Sequence, residues 1–329
     1  MPQPSYTYAN ARLAALSKRL LDPQTIRRMA DGSLSDALRS LQDMRYGGSA
    51  DGSDADVERL ISSELADAAA EVTALSPKPK LTDLFLLKND VQNLKVLIKA
   101  RILGFSEPIC AGCGLYSIDK LRDMVKEQEY SDLPAILSDA LRALEKRIQS
   151  KVDPQSISVS LDRAYLTHAL KTTESDRVLS HYFQSMCDFD NILTYLRVRA
   201  MGGFKEMLDD LLLPECGVKK QQLVESFDLS YESLNRILSS SVCREPLLKG
   251  LNAMQRTGNI GEVEKARDNY LISLLSDHRY ETDSIYPVIG YYLAKEREGK
   301  TIRLIITAKR NSLADSVIAE RLVTLYGER

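Results

Sequence analysis

The sequence predicts an all-α protein built from three copies of one helical unit. Apolar residues recur at helical spacing through most of the chain, and alternating strand-like runs bounded by tight turns are absent. One segment is written twice, as KNDVQNLKVLIKARILG at 88–104 and MCDFDNILTYLRVRAMG at 186–202. Each copy has an acid at its third position, Asn at its sixth, a base near its end and Gly at its end. Two further anchors recur in the same order. DVERL at Asp56, SLDRA at Ser160 and EVEKA at Glu262 form one; LSDALRSL at 34–41, YSDLPAIL at 130–137 and YESLNRIL at 231–238 form the other. Ordered recurrence at long spacing is the mark of a repeat architecture.

Taken in order, residues 6–21 carry Ala9, Leu13, Leu16 and Leu20 on one helical face. Asp22-Pro23 reads as an N-cap followed by Pro at the first helical position. Gly32 ends that short helix, and Ser35 is positioned to cap the next. In residues 84–101, Leu84, Leu87, Val91, Leu94 and Ile98 form one apolar stripe that runs into the first repeated segment. A third copy is EREGKTIRLIITAKRNS at 296–312. It sets Glu298 on Asp90 and Asp188, Thr301 on Asn93 and Asn191, Lys309 on Arg101, and Ser312 in place of the final Gly. Its run IRLIITA is β-branched and by itself favours a strand; the register with the other copies predicts helix. The equivalent helices are expected at 88–101, 186–199 and 296–309, with the acid in the first turn, where it meets the helix dipole. Breaks fall at 46–56, 76–80, 104–114 and 212–217. These features divide the chain into an N-terminal helix (1–21) and repeats at 22–104, 105–204 and 205–329, the last including a C-terminal helix.

The net charge of −2 supplies no basic field for nucleic acid. No uncharged run approaches the ~20 residues a membrane span needs. The start, MPQPSYTYANARL, lacks the basic-then-apolar pattern of a signal peptide, so a soluble cytoplasmic chain is expected.

Chemistry-bearing motifs are sparse. Cys110 and Cys113 form a CxxC, but zinc needs two more ligands and no second CxxC or CxxH exists. The flanks read as helical, so the pair reads as a turn between repeats. His168, His181 and His278 are the only histidines, and none lies in HExxH. Asp188 and Asp190 resemble the paired carboxylates of helical metal-dependent enzymes, yet the repeat equivalents of Asp188 favour a structural role. There is no GxxxxGK[ST], and the Gly-rich stretch after Tyr46 reads as a turn.

Tyr8-Ala9-Asn10-Ala11-Arg12, Tyr46-Gly47-Gly48, Lys88-Asn89-Asp90 with Asn93-Leu94, and the ending IRLIITAKRNSL before a short terminal helix occur in this order along the chain. Together they resemble the C subunits of the V/A-type rotary ATPases, the family of the eukaryotic vacuolar d subunit. The second copy departs from the pattern at Met186-Cys187. The resemblance implies three quasi-equivalent helical subdomains around a pseudo-threefold axis, forming a funnel. One face of the funnel would sit on the membrane proteolipid ring, and the open side would receive the rotor shaft, subunits D and F. The chain would be peripheral to the membrane, with no catalytic, cofactor or metal residue of its own. Arg101 and Arg199, near the ends of the repeated helices, are the candidates for partner contact. A helical scaffold or adaptor without a rotary role, and a metal-dependent helical enzyme using Asp188 and Asp190, are the alternative readings.

Overall fold

The computed structural model describes residues 4–48, 57–105, 110–148, 153–230 and 233–327. Among these residues every regular element is a helix.

The N-terminal elements are set by their caps. α1 (Tyr6–Leu16) starts where the Ser5 hydroxyl accepts the Tyr8 amide, and it buries Ala9, Leu13 and Leu16. α2 (Pro23–Asp31) begins as its sequence predicts: Asp22 accepts the Thr25 amide, Pro23 fills the first turn and Gly32 is the C-cap. α3 (Leu34–Asp43) is capped by Ser33, not by Ser35. Ser33 has Asp36 three residues on and so closes a reciprocal capping box, whereas Ser35 has Leu38 at that position.

The long helices follow. α4 (Val57–Leu75) and α5 (Pro79–Leu103) are separated at the expected break near SPKPK; then come α6 (Ile118–Glu127), α7 (Ala135–Ile148), α8 (Pro154–Thr173) and α9 (Arg177–Ala200). α10 (Glu206–Leu211), α11 (Lys220–Glu225), α12 (Leu234–Ile237), α13 (Arg244–Thr257) and α14 (Gly261–Ser276) lead to α15 (Tyr286–Arg310) and α16 (Asp315–Arg321). IRLIITA lies inside α15. Ile302, Ile305 and Ile306 are buried there with Leu60 and Ile61, so tertiary packing overrides their β-propensity.

The three repeated segments do not start their helices. α5, α9 and α15 begin about two to three turns earlier, which places Asp90, Asp188 and Glu298 in mid-helix, far from the first-turn dipole. The upstream residues, such as Leu81, Phe85 and Leu86 in α5, are buried on several sides. Apolar residues on several sides blur the single stripe that would mark where the helix begins.

The chain packs as two compact units. One comprises Met1–Leu86, Ala111–Leu115 and Ile272–Arg329. In it, α15 packs chiefly on α4 and also meets α1, α2 and α3. Gly299 permits the close approach of α15 to α4: a Cβ there would come within 2.8 Å of the Ile61 Cγ2. The other unit comprises Leu87–Cys110 and Tyr116–Leu271. In it, α9 packs on α8 and α10, and its Phe189, Ile192, Leu193 and Leu196 join an apolar cluster with Leu208 and Leu223. Each such side chain, fully buried, contributes roughly 1.5–3 kcal/mol of transfer free energy.

Candidate functional site: a clasp written three times

Asp90, Asp188 and Glu298 are buried, at 0%, 0% and 2% exposure. A buried carboxylate needs donors, and each takes the same kind. Asp90 Oδ1 accepts the backbone amide of Tyr116 at 3.3 Å. Asp188 Oδ1 accepts that of Val218 at 2.9 Å. Glu298 Oε1 accepts that of Leu21. Tyr116, Val218 and Leu21 each directly precede the N-cap residue of a helix, namely α6, α11 and α2. Helix starts carry unpaired amides and the positive dipole end, so an acid there satisfies a donor and a field together.

Eleven residues beyond each acid stands a base: Arg101, Arg199 and Lys309. Eleven residues are about three turns, so acid and base share one face of the helix. Arg101 donates at 2.5 Å to the carbonyl of Val125 in the last turn of α6. Lys309 donates at 2.7 Å to the carbonyl of Ala30 in the last turn of α2, and also to that of Gly32. Arg199 reaches its target through a relay. It donates at 2.9 Å to the Tyr195 hydroxyl, which donates at 2.9 Å to the carbonyl of Ser226, the C-cap of α11. Carbonyls at a helix C-terminus lack intrahelical partners and favour cations. Each long helix therefore grips one short helix at both ends.

The end of each gripping helix is also common to all three. Gly104, Gly202 and Ser312 are left-handed, with φ of 75°, 68° and 54°. The next amide closes back on the helix in every case: Phe105 on Ala100, Gly203 on Val198 and Leu313 on Ala308, at 2.9–3.0 Å. Ser312 thus adopts the conformation of the Gly it replaces.

The three surroundings differ. At the first clasp, Arg101 also pairs with Glu145 at 2.6 Å, and Glu145 accepts the Tyr130 hydroxyl at 2.5 Å. At the second, the Ser241 hydroxyl donates to Asp188 Oδ2 at 2.6 Å; burial still raises the Asp188 pKa. Asn191 adds a clamp, accepting the Leu213 amide at 2.7 Å. At the third, Lys295 is buried 2.9 Å from Glu298 and 3.0 Å from Glu64. Burial disfavours the charged lysine, but these two carboxylates outweigh it and hold its pKa above the usual value. Glu64 also accepts the Gly47 amide at 2.9 Å, and the Tyr46 ring centroid lies 5.5 Å from the Lys295 ammonium, so Tyr46-Gly47-Gly48 packs against this clasp. Thr301, which stands where the others have Asn, donates to Arg297 of its own helix.

The other sequence candidates fall as follows. Asp190 pairs with Arg267 at 2.6 Å. Residues two apart on a helix point to nearly opposite sides, so Asp188 and Asp190 do not converge on one ion. Among the described residues, no group of three or more His, Cys, Asp or Glu is placed to hold a metal. His181 meets the Tyr270 hydroxyl at 2.7 Å and His278 meets Glu281 at 2.5 Å. Cys110 is half-buried, Cys113 is buried and neither is in a disulfide. Sequence reasoning missed Lys295, Glu64, Tyr195 and Ser241. No spacing marks those four; the i, i+11 spacing of acid and base, present in all three copies, was the available signal for the clasp itself.

Fold and site define an all-helical protein whose interior polar groups join one helix to another. The family model described as ATP synthase (C/AC39) subunit matches residues 9–321, and the chain belongs to that family. The C subunit of the V-type sodium ATPase of Enterococcus hirae is 25% identical over 84% of this chain and 84% of its own length. The C subunit of the A-type ATP synthase of Pyrococcus abyssi is 23% identical over 98% of this chain and 90% of its own. The corresponding A-type protein of Methanocaldococcus jannaschii is 22% identical over 97% and 86%.

Proposed function

We propose that the chain is a non-catalytic central-stalk subunit of a V/A-type rotary ATPase. It is the socket that joins the rotor shaft, subunits D and F, to the membrane proteolipid ring, and it passes torque between them during ATP-coupled proton or sodium transport. Family membership supports the rotary assembly. The single observation behind the mechanical role is the triple clasp.

In this reading the repeats span 22–104, 105–204 and 205–329 after the N-terminal helix 1–21, and they build the funnel. The first clasp binds repeat one to the start of repeat two, and the second binds repeat two to the start of repeat three. The third binds repeat three to the start of repeat one, so the bonding closes on itself. A part loaded in torsion must resist sliding between repeats, and packed helices tied by buried hydrogen bonds deform little. Arg101 and Arg199 serve the clasps, so altering them tests the stiffness of the socket as well as any partner contact.

No described helix is long and apolar enough to cross a membrane. In this reading the chain meets the ring as a peripheral component on the cytoplasmic side, through a surface that mixes apolar and polar groups. Reconstitution into vesicles with and without the chain tests the proposal. ATP hydrolysis by the soluble head should persist without it, and ATP-driven ion pumping should vanish. Undiminished pumping in vesicles shown to lack the chain would overturn the proposal.

A further inference from the structure

A cleft of about 390 Å³ opens in the first of the two compact units. It lies between α1, the start of α2, the turn that joins α14 to α15, and the segment after α16. Its walls are mainly apolar, formed by Leu13, Leu20, Pro23, Pro287 and Leu325. Asn10, Leu13 and Ala14 turn one face of α1 toward it. A cleft of this size is at the small end of the roughly 300–1,000 Å³ found for ligand sites. It has room for the end of an extended chain.

Three polar groups of the cleft keep unused bonding capacity. Asn10 is 7% exposed, and its Nδ2 donates to the carbonyls of Glu281 and Ser284 at 3.1 and 3.0 Å. Those bonds hold the amide nitrogen toward the α14–α15 turn, and the buried Oδ1 accepts nothing. The Tyr326 hydroxyl is likewise buried without a partner, in space that Gly290 leaves open by lacking a Cβ. Native interiors seldom leave such atoms unbonded, so two on one cleft point to a ligand. The third group is Arg279. Its Nη1 donates to the Ser276 carbonyl at 2.8 Å, and its guanidinium carbon lies 4.5 Å from the Tyr280 ring centroid. These contacts fix the guanidinium in place but do not neutralise it. Asp22, which lines the cleft, spends its carboxylate on the Thr25 amide and hydroxyl, and Glu281 meets His278. Among the described residues no carboxylate pairs with Arg279.

We propose that this cleft binds the C-terminus of a partner polypeptide that ends in an apolar residue. Arg279 takes the terminal carboxylate, whose two oxygens match the guanidinium fork. The last side chain lies against the apolar wall of Leu13, Pro287 and Leu325. The amide N–H of the last residue donates to Asn10 Oδ1, and the carbonyl of the residue before it accepts from the Tyr326 hydroxyl. A chain end carries an anion, an apolar group, a donor and an acceptor within a few bonds of one another. A simple apolar acid has no N–H for Asn10, and an internal peptide segment has no carboxylate for Arg279. Capture of a terminal carboxylate is an established mode of peptide recognition. The site stands apart from the rotary reading, and its test needs only the isolated chain.

The test titrates the purified full chain with the peptide acetyl-Ala-Ala-Leu, read by ligand-observed NMR. Amidating its C-terminus should weaken binding at least about tenfold, because the unpaired guanidinium loses its anion. Arg279→Gln should weaken the free acid by a similar factor and abolish discrimination between acid and amide. The ester analogue, in which oxygen replaces the leucine N–H, should also bind more weakly, because it offers Asn10 no donor. Tyr326→Phe should weaken the acid and the amide alike. Circular dichroism checks that both variants keep their helices, and the amidated and ester peptides test the unaltered chain whether or not a variant folds. No binding at millimolar peptide, or an amidated peptide that binds as tightly as the acid, would overturn the proposal. An ester analogue that binds as tightly as the amide-linked peptide would overturn it in favour of a simple apolar acid.

Discussion

The carboxylate of Glu298 accepts the backbone amide of Leu21, 277 positions earlier in the chain. The start of α2 is therefore satisfied by a residue near the other end of the sequence. Glu298 is held in turn by Lys295, and burial raises the pKa of Glu298 while Lys295 only partly offsets it. The start of α2 and the buried lysine thus depend on one carboxylate.

Glu298→Ala should be strongly destabilising. It strands the Leu21 amide and leaves Lys295 with Glu64 as its remaining partner. Removing one member of a buried pair costs about 3–5 kcal/mol. Glu298→Gln keeps an acceptor for Leu21 and should cost less. Urea unfolding monitored by circular dichroism reads both. An alanine variant as stable as the parent would show that this clasp contributes nothing.

The Arg199–Tyr195–Ser226 relay predicts coupling between Arg199 and Tyr195. Tyr195→Phe keeps the ring but removes the hydroxyl that joins guanidinium to carbonyl. Arg199→Met removes the donor. A double-mutant cycle should give a coupling energy of about 0.5–3 kcal/mol. Additive effects would mean that the relay carries no energy. Arg101→Met should cost about 2 kcal/mol by itself, because it leaves the buried Glu145 with Tyr130 but no cation.

Ser312→Gly should stabilise. Ser312 holds φ of 54°, where an L side chain pays about 1 kcal/mol and glycine does not. The gain should appear as a higher thermal midpoint. Gly47→Ala should do the opposite and more strongly than Gly48→Ala. Both glycines have positive φ, but a Cβ at Gly47 would lie 2.5 Å from the Leu60 carbonyl oxygen, whereas Gly48 faces open space. Equal losses at 47 and 48 would count against this packing.

Acid should loosen α2. The amide and hydroxyl of Thr25 donate to Asp22 and hold its carboxyl below the ordinary 3.8. A depressed folded pKa contributes stability that is fully present above 3.8 and lost as pH falls through the lower folded value. Asp22→Asn should flatten stability against pH in that window. Asp188 acts with opposite sign: burial raises its pKa, so its ionised form subtracts stability as pH rises above 3.8. Chemical denaturation from pH 2 to 6 checks both. An unchanged profile in Asp22→Asn would refute the capping contribution.

The sequence by itself determined the helices, the caps with short-range logic and the register of three repeated segments. Asp22-Pro23 needs only its own next three residues to start a helix, and Ser312 could be set on Gly104 and Gly202 by counting. Tertiary structure decided where the long helices begin: upstream of Asp90, α5 buries Leu81, Phe85 and Leu86 beside the stripe of Leu84 and Leu87, so its apolar residues are not confined to one face that marks the first turn. It also decided what the repeated acids do. Periodicity reports which face of a helix avoids water, but a buried carboxylate is satisfied by whichever amide the fold delivers. For Asp90 and Asp188 that amide lies 26 and 30 residues downstream, and for Glu298 it lies at the far end of the chain. No local rule links Glu298 to Leu21; only the packed chain brings them together.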